Sequence, residues 1–197
     1  MSAAIYLNQI RKSYNYKHIF QELSLKINYG EAWHIKGLNG SGKSTVLKII
    51  AGICSYEGVC KVHTSVGYIG HRNGLYGQLT AIENMQYLTN WHTQSHNIEQ
   101  GLIELNKWKI PLNKKIDELS AGQKQACALL SLYNLNKKCW ILDESMQCLD
   151  EKFSLLWFNI CKQHIENKGI IIFTSHIEND LILSLTTNTL RLESVKC

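Results

Sequence analysis

The sequence contains a single proline, Pro111, and no long apolar run. No segment reaches the roughly 18 consecutive apolar residues that predict a transmembrane helix. The apolar segment that begins at Ala128, for example, is interrupted by Ser131 and Asn134. The first residues have neither the basic segment nor the apolar segment of a secretory signal peptide. We therefore expect the chain to contact a membrane only through a partner.

Paired cysteines and basic runs are also missing. Seven cysteines are scattered along the chain, none of them in a Cys-x-x-Cys pair. Neither a disulfide framework nor a zinc site is expected, and a reducing cytosol is the simplest compartment. The net charge of +5 comes from dispersed Lys and Arg residues, without the basic stripe and interleaved aromatics of a nucleic-acid-binding surface. Nucleic acid is accordingly not an expected partner.

One glycine-rich segment carries a specific pattern, G-x-x-x-x-G-K-[ST]. It consists of Gly37, Leu38, Asn39, Gly40, Ser41, Gly42, Lys43, Ser44 and Thr45. Its glycines let backbone N–H groups approach phosphate oxygens closely. Lys43 brings a positive charge to the β- and γ-phosphates, and the Ser44 hydroxyl is suited to ligating Mg²⁺. An apolar strand pattern precedes the segment and a helical pattern follows from Thr45, so a helix N-terminus would face the phosphates. The segment predicts a nucleoside triphosphate site.

Two apolar segments later in the chain end in polar, reactive side chains. One ends at Asp143 and Glu144, and the other ends at His176. Continuous apolar strands belong in a parallel sheet covered on both faces, and ligands gather at the carboxyl ends of such strands. We therefore expect these three side chains to converge on the glycine-rich segment. There Asp143 would hold Mg²⁺ together with Ser44, Glu144 would act as general base on the attacking water, and His176 would touch the γ-phosphate.

The remaining patterns predict an α/β fold. Alternation over residues 5–7 and 23–27 predicts strands with one solvated face. Between residues 80 and 135 the pattern is helical, with capping residues at Thr80 and Ser120. The predicted fold has a parallel-sheet core, an N-terminal antiparallel β-subdomain and an inserted helical subdomain. As a single domain over 1–197, it divides into a core with the β-subdomain, formed by 1–71 and 132–197, and an insertion at about 72–131.

Five motifs in order resemble those of ATP-binding cassette (ABC) ATPases, which have the P-loop NTPase fold. They are the glycine-rich segment, Leu119–Gln123, the strand 139–143 with Glu144, Cys148–Asp150, and His176. The second of these, the signature segment, separates the family from other P-loop enzymes. The resemblance implies ATP and Mg²⁺ as ligands and Tyr14 as the aromatic that stacks on adenine, with Tyr16 as the weaker candidate. It also implies a head-to-tail homodimer in which each ATP lies between the glycine-rich segment of one subunit and Ser120, Gly122 and Gln123 of the other.

A narrower resemblance is to the haem-exporter ATPase of cytochrome c maturation, the CcmA family. Its residues are Tyr68–His71, Gly74–Leu75 and Leu79–Asn84. In this family His71 stands where other ABC ATPases have a glutamine, and it would sense the γ-phosphate or a Mg²⁺-bound water, or contact the membrane subunit. The resemblance implies an ATPase bound peripherally to an integral membrane permease at the cytoplasmic face of the inner membrane. Its task would be haem export or release of a haem-carrying chaperone.

Other functional hypotheses also fit the same motifs. An ABC ATPase with these elements could serve an exporter of lipid, lipoprotein or drug, or act without a permease in iron–sulfur assembly. Two positions also depart from the ABC pattern, since Ser145 stands where a proline usually follows Glu144, and Ala126 stands where a basic residue is frequent. The first departure bears on the rate of hydrolysis and leaves ATP binding unaffected.

Overall fold

The computed structural model describes residues 3–14, 17–20, 22–92, 98–175 and 180–193. The strands are β1 (Ile5–Arg11), β2 (Ser13–Tyr14), β3 (Lys17–His18), β4 (Leu23–Ile27), β5 (Ala32–Gly37), β6 (Glu57–Val62), β7 (Val66–Ile69), β8 (Cys139–Asp143), β9 (Ile170–Thr174) and β10 (Asn188–Leu192). The helices are α1 (Lys43–Ile50), α2 (Ala81–His92), α3 (Ile98–Lys107), α4 (Ala121–Asn134), α5 (Glu151–Glu166) and α6 (Asp180–Ser184), with a 3₁₀ turn at Ile116–Glu118.

A five-stranded parallel sheet forms the centre of the molecule, in the order β10-β5-β9-β8-β7. Every residue of β8 and β9 is buried, which explains why both read as continuous apolar runs. Alternate side chains enter different cores. Cys139 and Ile141 pack with helix α1 and the antiparallel sheet on one face, whereas Trp140 and Leu142 pack with α4 and α5 on the other. The predicted core of parallel strands is confirmed.

The N-terminal strands form a separate antiparallel sheet in the order β4-β1-β6. Ile5 of β1 pairs with Ile27 of β4 on one side and with Val62 of β6 on the other. Because alternate residues of a strand point to opposite faces, the buried Ile5 and Leu7 share one face and reach the same core as helix α1. This sheet confirms the predicted antiparallel β-subdomain.

Helices α2 and α4 begin at the capping residues that the sequence predicts. Thr80 Oγ1 accepts a hydrogen bond from the Glu83 N–H at 3.2 Å, while the Thr80 N–H donates to the Glu83 carboxylate at 2.7 Å. Ser120 and Gln123 form the same reciprocal pair at the start of α4. Such capping boxes satisfy backbone donors that the first helical turn leaves unpaired. Among the described residues between Thr80 and Asn134, an isolated bridge pairs Thr80 with Lys115 and no strand forms.

Two helix boundaries lie away from the positions that the sequence pattern gives. Helix α1 begins at Lys43, earlier than the apolar pattern from Thr45 suggests, because its first two residues are polar and give no periodic signal. Helix α4 continues to Asn134, beyond the position 131 where the predicted helical insertion ends. The division of the domain into 1–71 with 132–197 and an insertion at 72–131 stays a prediction.

The described cysteines are present as thiols and not as disulfides: Cys54, Cys60, Cys127, Cys139, Cys148 and Cys161. Burial raises the pKa of Cys127 and of Cys139 to about 12, so these thiols stay protonated and pack as small apolar groups. Across the described ranges, no cluster of three or more His, Cys, Asp or Glu residues has the arrangement of a metal site. Nor is any helix in those ranges long and apolar enough to cross a membrane.

Candidate nucleotide site

The glycine-rich segment connects the end of β5 to the start of α1. Its tight course depends on Gly42, which has a φ of 93° and forms the N-cap of the helix. A Cβ atom added there would lie 2.7 Å from side-chain atoms of both Ile19 and Phe20. The residues that follow β3 therefore pack directly against the turn, and only glycine combines this φ with this clearance.

Lys43 directs its ammonium group into the turn that it follows. The side chain is only 7% exposed, and Nζ donates to the Gly37 and Leu38 carbonyl oxygens at 3.0 and 3.1 Å. Leu38, Asn39 and Gly40 at the tip are exposed. An exposed turn with an inward cation, followed directly by a helix N-terminus, combines the features that bind polyphosphates.

The Asp143 carboxylate lies against this helix at the end of β8. It is 4% exposed and accepts three hydrogen bonds from hydroxyl groups. Ser44 Oγ and Thr174 Oγ1 donate to Oδ1 at 3.0 and 2.9 Å, and the Tyr68 hydroxyl donates to Oδ2 at 3.1 Å. The predicted proximity of Ser44 and Asp143 is thus observed. Tyr68 and Thr174 were not predicted as site residues, although both stand near the ends of strands that point to this edge of the sheet.

The oxygens of Ser44 and Asp143 suit a magnesium ion. Mg²⁺ prefers hard oxygen ligands at near-octahedral angles, which places neighbouring ligand atoms about 3 Å apart. Ser44 Oγ and Asp143 Oδ1 have this separation. Burial, followed by the Asp143 charge and its hydrogen bond, raises the pKa of Tyr68. The phenol therefore stays a neutral donor to the carboxylate and does not compete with it for a cation.

Glu144 adopts a left-handed backbone conformation with a φ of 56°. Its N–H donates to Thr174 Oγ1 at 3.0 Å, and its carboxylate accepts a hydrogen bond from Gln147 Nε2 at 3.3 Å. The residue is partly exposed at the same sheet edge as Asp143. Next to it, Ser145 is buried at the position where a proline is usual. The role of Glu144 as general base stays a prediction.

The signature segment leads into helix α4. Ser120 is exposed and caps α4, and a Cβ atom on Gly122 would lie 3.0 Å from the Cys148 carbonyl oxygen. Among the hydrogen bonds of the described residues, none joins Ser120 or Gln123 to the glycine-rich turn. The N-terminus of α4 begins at exposed residues, Ser120 and Ala121, and is accessible to a ligand or a second molecule.

The remaining predicted residues are placed only in part. His71 is exposed in the turn that follows β7. The backbone of Tyr14 pairs with Lys17 in the β2–β3 hairpin, while its side chain, like Tyr16 and His176, lies outside what the structure describes. The predicted contacts of His71, Tyr14 and His176 with nucleotide stay predictions.

The model of the ABC transporter family matches residues 20–147. The chain belongs to this family, and it is an ABC-type ATPase that binds ATP. Its fold agrees with solved cassettes. An ATP-binding subunit of an ABC transporter superposes with a TM-score of 0.86 at 18% identity, covering 97% of this chain and 88% of the other. MJ0796, a bacterial ABC transporter cassette solved as a dimer, gives a TM-score of 0.83 at 23% identity, with coverages of 96% and 94%.

Within the family, the chain is similar to proteins named cytochrome c biogenesis ATP-binding export protein CcmA. It is 32% identical over 195 residues to the one from Colwellia psychrerythraea, covering 91% of this chain and 86% of the relative. The relative from Vibrio vulnificus is 30% identical over 173 residues, with coverages of 80% and 84%. The resemblance drawn from the motifs is confirmed at the level of the ABC ATPases and of their CcmA relatives.

Proposed function

We propose that this ATPase is the ATP-hydrolysing subunit of an ABC complex for haem export, or for release of a haem-carrying chaperone, in c-type cytochrome biogenesis. The observation that carries the proposal is the 32% identity to a cytochrome c biogenesis export protein over 91% of the chain. The segment from Tyr68 to Asn84, which contains His71, supports the same assignment.

The site geometry supports a specific division of labour. Lys43 and the N–H groups at the start of α1 would bind the β- and γ-phosphates. Ser44 and Asp143 would hold Mg²⁺, which when bound neutralises charge on the phosphate oxygens. Glu144 would accept the proton of the attacking water as the bond from the γ-phosphorus to the bridging oxygen breaks, giving ADP and phosphate. His176 would contact the γ-phosphate.

We further propose that the complete site is shared by two copies of the chain. The N-terminus of α4 carries Ser120, which is exposed, together with Gly122 and Gln123, and within the described ranges none of its hydrogen bonds reaches the glycine-rich turn. A head-to-tail homodimer would bring it to the γ-phosphate bound by its partner, where helix N–H groups stabilise negative charge. The dimeric structure of the MJ0796 cassette supports this arrangement. Tyr14 would stack on the adenine.

The inferred complex includes an integral membrane permease, to which the ATPase would bind peripherally at the cytoplasmic face of the inner membrane. Closure and opening of the ATPase dimer would drive the permease between states, because ATP binds the closed state more tightly. His71, exposed after β7, is available either to the nucleotide or to that permease.

Complementation of a deletion strain tests the proposed function. The parent gene is expected to restore covalent haem in c-type cytochromes, seen by haem staining, whereas Lys43→Ala is not. Lys48→Ala is the matched control, because Lys48 lies exposed on the same helix and should restore haem staining fully. Normal c-type cytochromes in the deletion strain would contradict the assignment. A pull-down from detergent-solubilised membranes should in addition recover a hydrophobic subunit, and its absence would favour an ABC ATPase that acts without a permease.

A further inference from the structure

Two of the residues that hold the Asp143 carboxylate, Tyr68 and Thr174, lie outside the five ABC motifs. Three hydroxyl groups from three different elements donate to it, and only Ser44 belongs to the glycine-rich segment. We propose that Tyr68 and Thr174 are positioning residues that fix the Asp143 carboxylate in the orientation in which it binds Mg²⁺. This inference rests on the proposed role of Asp143 as a magnesium ligand.

Thr174 joins the two acidic residues through one hydroxyl group. It is fully buried and lies opposite Asp143 in the β8–β9 register. Its Oγ1 donates to Asp143 Oδ1 at 2.9 Å and accepts the Glu144 N–H at 3.0 Å. A hydroxyl has one proton to donate and lone pairs to accept, so both bonds form at once. The peptide of Glu144, which is held at a positive φ, is thereby tied to the carboxylate that precedes it.

Tyr68 acts on the other oxygen of the same carboxylate. It lies on β7, the strand beside β8, and its hydroxyl donates to Asp143 Oδ2 at 3.1 Å. Since Oδ1 is held from β9 and Oδ2 from β7, rotation of the carboxylate about its Cβ–Cγ bond would break at least one hydrogen bond. Donors on both neighbouring strands therefore fix its plane.

The sequence makes room for the phenol at Gly70. A Cβ atom added to Gly70 would lie 3.0 Å from both Cε1 and the hydroxyl oxygen of Tyr68. That distance is tighter than most contacts of a Cβ atom, so an alanine would push the phenol by a few tenths of an ångström and strain its hydrogen bond to Asp143. Gly70 also precedes His71. The end of β7 therefore carries the phenol that binds Asp143, and the exposed His71 follows three residues later.

Orientation matters for magnesium more than for most cations. Mg²⁺ requires near-ideal octahedral geometry, and partners that orient a metal ligand from the outer shell typically change metal affinity by about 10- to 100-fold. Tyr68 and Thr174 are neutral donors that leave the charge of Asp143 intact, so their contribution is the direction of the carboxylate. Their loss should weaken the metal-dependent part of nucleotide binding and leave the metal-independent part unchanged.

The test measures AMP-PNP, a hydrolysis-resistant ATP analogue, by isothermal titration calorimetry in Mg²⁺ and in EDTA. For the full-length parent, the Kd in EDTA divided by the Kd in Mg²⁺ gives the contribution of the metal. Thr174→Val and Tyr68→Phe are expected to lower this ratio by about tenfold with the EDTA value unchanged. Thr174→Ser, which keeps the hydroxyl, should restore the ratio, and Gly70→Ala should lower it as Tyr68→Phe does.

Matched controls lie in the helical region. Thr89→Val removes another buried hydroxyl, which donates to the Met85 carbonyl oxygen, and Tyr87→Phe removes an exposed phenol hydroxyl. Both should keep the parent ratio. Equal weakening in Mg²⁺ and in EDTA, or a parental ratio in Tyr68→Phe and Thr174→Val, would overturn the inference. If Thr174→Val does not fold, Tyr68→Phe decides alone. A parent that binds no AMP-PNP at all would instead contradict the proposed function.

Discussion

Two buried charges define the site at the scale of single residues. Burying a charge is costly unless hydrogen bonds replace its lost hydration. Lys43 satisfies this condition with two backbone carbonyl oxygens, and Asp143 does so with three hydroxyl groups. These hydrogen-bond partners are neutral, so the charge is stabilised without being cancelled. A cation and a carboxylate kept in this way retain their electrostatic attraction for a phosphate and for a metal ion.

A partly buried histidine, His164, is expected to make the free energy of unfolding depend on pH. His164 stacks on Trp140 with ring centroids 3.6 Å apart. Burial, opposed by a hydrogen bond to the Lys138 carbonyl oxygen, lowers the pKa of His164 to about 4. In the unfolded chain a histidine takes up a proton below about pH 6.5. Between these two values the unfolded state binds more protons, so the free energy of unfolding should fall as the pH is lowered from 6.5 towards 4.

Urea unfolding at pH 7 and pH 4.5 checks this expectation. For a half-buried ring we expect a loss of roughly 1–2 kcal/mol attributable to His164. His164→Gln, which does not titrate, should lose correspondingly less stability between the two pH values. The same pH slope in parent and variant would show that the ring at this position does not cause the effect.

At the scale of elements, the sequence predicted helix starts better than it predicted contacts between residues that are distant in the chain. Both capping boxes follow from a hydroxyl residue and a Glu or Gln three positions later, because that geometry lies within one helical turn. The proximity of Ser44 and Asp143 was predicted from two motifs, together with the rule that ligands bind at the carboxyl ends of parallel strands. The contact of Tyr68 with Asp143 had no such signal, since it requires that β7 lies beside β8 and that Gly70 leaves room for the ring.

The two capping boxes permit a prediction that separates stability from chemistry. Ser120→Ala and Thr80→Ala remove the same kind of cap from α4 and α2. Each should lower the free energy of unfolding by about 1 kcal/mol. Only Ser120 is proposed to face a nucleotide, so only Ser120→Ala should also reduce the ATPase rate per folded molecule. ATPase rates of both variants are to be measured well below their unfolding temperatures. An equal loss of activity in the two variants would contradict the proposed role of Ser120 in the signature.

At the scale of the whole molecule, the parallel sheet fixes which groups can share a site. Its strands β8 and β9 bring Asp143, Glu144 and Thr174 to one edge, where helix α1 begins. The signature helix α4 packs beside α3, and Ser120 at its start is exposed. No local motif specifies where a second copy would dock, which is why the composite site is inferred from exposure and from dimeric cassettes of the same fold.

The measurement that tests this account most directly is the molecular mass of the Glu144→Gln variant in solution, with MgATP and with MgADP. Removing the proposed base should abolish hydrolysis and leave ATP binding intact, so ATP should remain trapped between two copies. Analytical ultracentrifugation is expected to show twice the monomer mass in MgATP and the monomer in MgADP. A variant that binds ATP while remaining a monomer would contradict the composite site, and one that hydrolyses ATP at the parental rate would contradict Glu144 as the base.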